Sequence, residues 1–320
     1  MKMFVYGLRE YDERVYFDKF AALYGIEFDS VSSKPTLKNV DLAKGYDAIN
    51  ILTAPVDKAM IDAYYDLGVR CIMTRTIGYD HIDYNYAREK GMGVLNITYS
   101  PATVADYTVM MILLGIRKLK YIRQRAALQD YTLEGKLACE LGSLTVGIVG
   151  TGRIGACVAR ELTGFGCRML AYDPFPHSEL SEILTYTDMD TLLRESDVIT
   201  LHAPATESNF HILDADAFAR MKPGSGLVNC ARGPLVDSDA MIDAIESGQL
   251  GFACLDTIED EYGIYYYNRM GRPLTNRQLA ILNSYPNVIV TPHMAFYTRE
   301  AVSDMVENSI LGILQYFREQ

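Results

Sequence analysis

The chain is short of basic residues: 30 Lys and Arg face 41 Asp and Glu, a formal charge of −11. That deficit argues against a protein that grips nucleic acid or an anionic membrane surface. Long apolar runs are also missing. The strongest, residues 109–116, is far below the roughly 18 residues needed to span a bilayer. The apolar opening, Met1 to Tyr6, is short and runs at once into Arg9, Glu10, Asp12, Glu13 and Arg14, which is not the pattern of a signal peptide. None of the six cysteines forms a CxxC pair, so neither a disulfide framework nor a zinc site is expected. With 24 Gly and 11 Pro, collagen-like or low-complexity architecture is excluded. What remains is the profile of a globular enzyme, and a cytoplasmic one is expected. At 320 residues it is long enough for about two domains.

Hydrophobic patterning gives the class. Short apolar runs at residues 3–7, 46–52, 70–74 and 92–97 alternate with helical periodicity at 56–67 and 81–90. Strands alternating with helices imply parallel sheets covered on both faces, hence α/β. Residues 101–125 read as one long helix, apolar nearly all round in its first part and therefore buried. A second series follows, with strands at 145–149, 168–172, 197–202, 226–231, 251–255 and 288–291 and helices at 153–165, 215–221 and 239–247. An amphipathic helix closes the chain, with Val302, Met305, Val306, Ile310, Ile313 and Phe317 at helical spacing. Two doubly wound parallel-sheet units in tandem are the expectation.

Gly150-Thr151-Gly152-Arg153-Ile154-Gly155 follows the strand TVGIV and opens a helix. A lone GxGxxG is weak, but the preceding strand and following helix are the context that dinucleotide binding needs. Gly150 permits the tight turn, Gly152 lets backbone approach a pyrophosphate, and Gly155 lets helix and strand pack closely. The helix N-terminus offers N–H groups and partial positive charge. Asp173 ends the next strand, where its carboxylate can accept ribose hydroxyls and repel a 2′-phosphate. NAD is the cofactor this pattern fits. His202, with Ala203 and Pro204 after it, is expected to face the cofactor; His81, His177 and His211 read as structural.

Three strand ends present chemistry on the same edge: Arg232 after LVNCA, Glu261 past LD, and His293 after VIVTP. In open α/β sheets ligands bind beyond the carboxyl ends of strands. A guanidinium clamps a carboxylate and polarises a carbonyl, and an imidazole moves a proton near neutral pH. A neighbouring carboxylate favours the imidazolium. Beside a nicotinamide these parts suit hydride transfer to a 2-oxo acid, with no metal required. Taken singly, each also has a bland reading as a salt bridge, a solvated acidic run or a loop histidine.

The glycine loop, Asp173, the run NCARGPLVD (229–237), LD through Glu261 and TPH (291–293) together resemble the D-isomer-specific 2-hydroxyacid dehydrogenase family over nearly the whole chain. TRTIGYDHID (74–83), YSP (99–101) and HMAFYT (293–298) narrow the likeness to the D-lactate dehydrogenases, including the vancomycin-resistance type. The resemblance implies a flavodoxin-like substrate domain, residues 1–100 and 296–320, into which a Rossmann NAD-binding domain, 101–295, is inserted, with the cleft between them. It also implies roles. Arg232 binds the substrate carboxylate and carbonyl, His293 is the acid/base, and Glu261 pairs with it. The N–H groups of Ile77 and Gly78 hold the carboxylate, while Tyr99, Phe296 and Leu52 line the side-chain pocket. Cys230, Ala231 and Asp256 fall on the cofactor side. The expected reaction is NADH-dependent reduction of pyruvate to D-lactate. Larger branched, aromatic or dicarboxylic 2-oxo acids are the alternative, and an NAD-sensing binding protein on the same scaffold is a more distant one. A homodimer through the nucleotide-binding domains is expected.

Overall fold

The computed structural model describes all residues, Met1–Gln320, as two compact units, Met1–Ser100 with Tyr297–Gln320, and Pro101–Phe296. In the first unit β1 (Lys2–Tyr6), β2 (Glu27–Val31), β3 (Ala48–Ile51), β4 (Cys71–Thr74) and β5 (Gly93–Leu95) form one parallel sheet in the order β2-β1-β3-β4-β5. That is the flavodoxin-like order. The central strands β3 and β4 are mostly apolar and fully buried because helices cover both faces. β2, EFDSV, is an exposed edge strand with no continuous apolar run, so periodicity passes over it. The closing helix, Arg299–Arg318, returns to this unit, where Ser309 accepts the amide of Asn50 on β3 at 2.9 Å. Gly93 lets the Tyr316 ring pack directly on β5, since a Cβ there would overlap it.

A fully buried ion pair was not read from the sequence. Arg75, directly after β4, meets Glu13 at 3.1 Å with both side chains 0% exposed. Its Nη1 also donates to Asn50 Oδ1 at 2.9 Å. A buried charge of this kind is tolerated only when paired and hydrogen-bonded.

The second unit holds β6 (Thr145–Val149), β7 (Arg168–Tyr172), β8 (Thr185–Tyr186), β9 (Val198–Leu201), β10 (Ser225–Asn229), β11 (Leu250–Leu255) and β12 (Val288–Val290), all parallel. Their order, β12-β11-β10-β9-β6-β7-β8, reverses direction between β6 and β9. This is the doubly wound Rossmann arrangement, with its switch point at that pair. The helix expected over 101–125 is two helices, Ala102–Ile116 and Leu119–Ala127. Lys118 between them sits at φ 52, a left-handed conformation that cannot continue a helix. The first of these is buried along most of its length, with Ala105, Met111 and Ile112 fully enclosed, while Met110 is exposed. No helix is long and apolar enough to cross a membrane.

Candidate active site

The glycine loop leaves β6 and enters the helix Arg153–Leu162. Gly150 takes φ 90, and a Cβ there would lie 2.9 Å from the Ala203 backbone N. A Cβ on Gly155 would overlap the Gly150 carbonyl. Gly152, the residue capping the helix, has open space at its Cβ position. Two glycines are thus needed for close packing and the third leaves a backbone surface that a phosphate can approach. His202 follows β9, the strand beside β6, so it stands next to this turn at the switch point. Its Nε2 is 3.0 Å from the Thr200 hydroxyl, and its Nδ1 is sealed from solvent although the residue as a whole is only half-buried. Burial lowers this imidazole to about 3.

Asp173 lies just past β7. Its Oδ2 accepts Thr151 N at 2.6 Å and the Thr151 hydroxyl at 3.0 Å; its Oδ1 accepts Phe175 N at 2.8 Å. Burial opposes its charge, but these donors outweigh burial and hold the carboxyl below its ordinary value. A cradle of glycine backbone ending on an ionised carboxylate at the next strand end fits a dinucleotide with free ribose hydroxyls.

The sheet assembles the other charged side chains through its strand ends. Asn229, the buried last residue of β10, donates through Nδ2 to Arg232 O at 2.9 Å and accepts Ala231 N at 3.0 Å. Its own carbonyl accepts Asp256 N at 2.9 Å. Gly233 carries no side chain because a Cβ would overlap the backbone of Ile258. Arg232 is thereby pinned against the loop that bears Glu261. Its Nη1 donates to Ala231 O at 2.8 Å.

Asp256 is fully buried, and its carboxylate accepts the Thr291 hydroxyl at 2.6 Å and Met294 N and Ala295 N at 2.8 Å each. It therefore shapes the turn that presents His293, which has φ 55. Nδ1 of His293 is 2.6 Å from Glu261 Oε1, with each side chain 26% exposed. The other oxygen of Glu261 accepts Ile258 N at 3.2 Å. Glu259, two residues away, is engaged elsewhere: it meets His211 Nε2 at 2.6 Å and accepts the Ser238 hydroxyl at 2.6 Å. Cys230 is buried, and burial pushes its thiol up, which makes it a packing group.

Tyr266 was missed by sequence reasoning. Its hydroxyl donates to His293 O at 2.9 Å, and its ring centroid is 6.1 Å from the imidazole and 6.4 Å from Phe296. It lies in an irregular, tyrosine-rich segment, where no periodicity singles out one ring. In the first unit, Asn96 Nδ2 donates to Ile77 O and the Thr76 hydroxyl to Gly78 O, both at 2.6 Å, fixing the loop after β4. Leu52, just beyond β3, and Tyr99 are both half-buried.

The family model described as "D-isomer specific 2-hydroxyacid dehydrogenase, NAD binding domain" matches residues 109–295. The chain is 38% identical over 319 residues to an aromatic 2-oxoacid reductase of Clostridium sporogenes, covering 99% of this chain and 96% of that protein. It is 37% identical over 320 residues to a D-lactate dehydrogenase of Lactiplantibacillus plantarum, with 99% and 96% covered. A crystal structure of a D-lactate dehydrogenase from Treponema pallidum superposes with a TM-score of 0.90 at 34% identity, covering 100% and 98%. The chain belongs to the D-isomer-specific 2-hydroxyacid dehydrogenase family, and its cofactor is NAD.

Proposed function

We propose that this dehydrogenase reduces a 2-oxo acid with a single carboxylate, pyruvate to D-lactate, with His293 as proton donor, Glu261 as its partner and Arg232 as the substrate clamp. The observation that carries the proposal is the Glu261–His293 contact of 2.6 Å on the strand edge that also bears Arg232. When bound, the reduced nicotinamide supplies a hydride to the keto carbon. The glycine loop and Asp173 hold the dinucleotide, with His202, Ala203, Pro204, Cys230 and Ala231 along the neighbouring strand ends. Asp256 serves by shaping the His293 turn. With Nδ1 engaged by Glu261, the imidazole presents Nε2 to the carbonyl oxygen and delivers its proton as charge develops there. Arg232 orients the carboxylate through its planar fork. Ile77, Gly78, Leu52 and Tyr99 of the first unit are proposed as substrate contacts on the family likeness.

Support for a small monocarboxylate comes from residues 51–55, Ile-Leu-Thr-Ala-Pro, which contain no Lys or Arg to pair a second carboxylate. A second reading, an aromatic 2-oxo acid, is favoured by the Tyr266 and Phe296 rings beside His293 and by the C. sporogenes relative. NADH turnover with pyruvate, phenylpyruvate and 2-oxoglutarate, followed by chiral analysis of the product, separates these readings. Preference for pyruvate supports the first and preference for phenylpyruvate the second. A preference for 2-oxoglutarate, or an L-product, overturns both, and absence of turnover with any 2-oxo acid favours an NAD-sensing protein.

The proposed dimer needs an exposed apolar surface, and the mostly buried helix Ala102–Ile116 contributes Met110, 39% exposed, and the half-buried Leu113 and Leu114 to one. Leu128, Leu133 and Leu137, each more than 80% exposed, offer more. Light scattering that gives a monomer mass at assay concentration rejects the dimer.

A further inference from the structure

Tyr186 lies on β8, the two-residue edge strand, and pairs with Ala171 of β7, two residues before Asp173. Its hydroxyl accepts the backbone N–H of His177 at 3.0 Å and donates to Thr151 Oγ1 at 2.9 Å. Thr151 is fully buried, and its hydroxyl in turn donates to Asp173 Oδ2 at 3.0 Å. A hydroxyl carries one proton. Since Tyr186 donates to its oxygen, the Thr151 hydroxyl has the carboxylate as the partner for that proton. The chain of donors therefore runs one way, from a main-chain N–H to a carboxylate. Oδ2 of Asp173 is filled by the hydroxyl and amide of Thr151, whereas Oδ1 accepts only Phe175 N and keeps a lone pair for a further donor.

We propose that Tyr186 is a positioning residue for cofactor choice: through the Thr151 hydroxyl it holds the Asp173 carboxylate in the orientation that accepts a ribose hydroxyl and repels a 2′-phosphate. The proposal rests on the reading of Asp173 as the ribose acceptor. Nothing in the glycine fingerprint points to Tyr186, because it reaches the loop from an edge strand 35 residues further along the chain.

The test compares Y186F, T151V, their double variant and D173A by steady-state kinetics with NADH and NADPH, with thermal unfolding of the cofactor-free proteins as the check on folding. Y186F keeps the ring and removes the hydroxyl, which is both the donor to Thr151 and the acceptor of His177 N. It is expected to raise KM for NADH about three- to tenfold, the range of one net hydrogen bond. KM for NADPH should rise less, so the preference for NADH narrows while kcat changes little. T151V should do the same, and the double variant should be no worse than T151V alone, because both act on one chain of donors. Y186F that leaves the preference unchanged, or weakens both cofactors equally, overturns the proposal, as does an additive double variant. D173A separates that failure from failure of the underlying reading: if D173A abolishes the preference while Y186F does not, Asp173 is the ribose acceptor and Tyr186 has no part in it. If D173A keeps the preference, the assignment of Asp173 fails and this inference with it.

Discussion

Asp256 fixes His293 through the main chain alone: its carbonyl accepts His293 N at 2.8 Å, and its carboxylate accepts the amides of the two residues that follow. The imidazole meets Glu261 with its side chain, but the turn that aims it is shaped around a buried carboxylate that never touches the ring. The left-handed φ of 55 at His293, unusual for a residue with a side chain, is held by these bonds.

Asp256→Asn exchanges an oxygen that accepts two hydrogen bonds, or one that accepts Ala295 N, for an amide that can only donate. Whichever way the amide sits, the N–H of Met294 or of Ala295 is then left facing a donor in a buried site. The expected loss is about 2–3 kcal/mol of stability, together with a fall in kcat larger than the rise in substrate KM. Denaturant unfolding and steady-state kinetics on the same preparation measure both, and an unperturbed kcat would show that the turn aims itself.

His293→Gln keeps a polar side chain but cannot deliver a proton. Reduction should slow by about 10²–10⁴-fold, while NADH affinity measured by fluorescence titration stays close to that of the parent. Glu261→Gln keeps the shape of the pair and removes the negative charge 2.6 Å from Nδ1. The amide is a weaker acceptor for the Nδ1 proton and holds the ring less firmly, so reduction should slow by about tenfold, the scale of one hydrogen bond. Equal rates for parent and Glu261→Gln across the pH range would remove Glu261 from the mechanism.

Arg232→Lys retains the charge and loses the planar fork. Substrate KM should rise and kcat should fall together, because in the proposed role the guanidinium both holds the carboxylate and faces the developing charge. Kinetics indistinguishable from the parent would sink the clamp assignment.

Stability should depend on His202 at acid pH. Burial holds this imidazole at about 3, so in the folded protein it stays neutral down to that value. Unfolded, it takes up a proton once pH drops below about 6.5. The unfolded state therefore binds more protons between these limits, and stability is lost as pH falls from about 6.5 toward 3. By pH 5 the loss from this group is on the order of 2 kcal/mol. His202→Asn should flatten the pH dependence of the unfolding free energy over that interval. An unchanged slope would show that the ring is hydrated.

The local chemistry that the sequence displays is of two kinds. Gly150, Gly152, Gly155, Arg232 and His293 sit in contiguous motifs where a strand ends and a turn begins, and a strand's end is legible from its apolar run. Arg75–Glu13 and Tyr186–Thr151 join residues 62 and 35 positions apart. Such partners are chosen by three-dimensional packing, and neither polar residue breaks a periodicity. The single helix read over 101–125 fails for a related reason. Helical propensity is strong on both sides of Lys118, and only its left-handed backbone, invisible in side-chain patterning, divides the segment. β8 escapes notice because two residues are too few to form a pattern.

Gly150 and Gly155 lock one another in place. A methyl group on Gly155 would run into the Gly150 carbonyl, and one on Gly150 would meet the His202 and Ala203 backbone at a φ that side chains resist. Single-step drift at either position is therefore blocked by the fold itself, before any ligand enters. A descendant that had lost its need for a dinucleotide would keep both glycines all the same. The spelling of this loop thus records how a strand turns into a helix, and a degenerate copy would first betray itself at Gly152, where the space beside the backbone is open and an added Cβ would meet nothing.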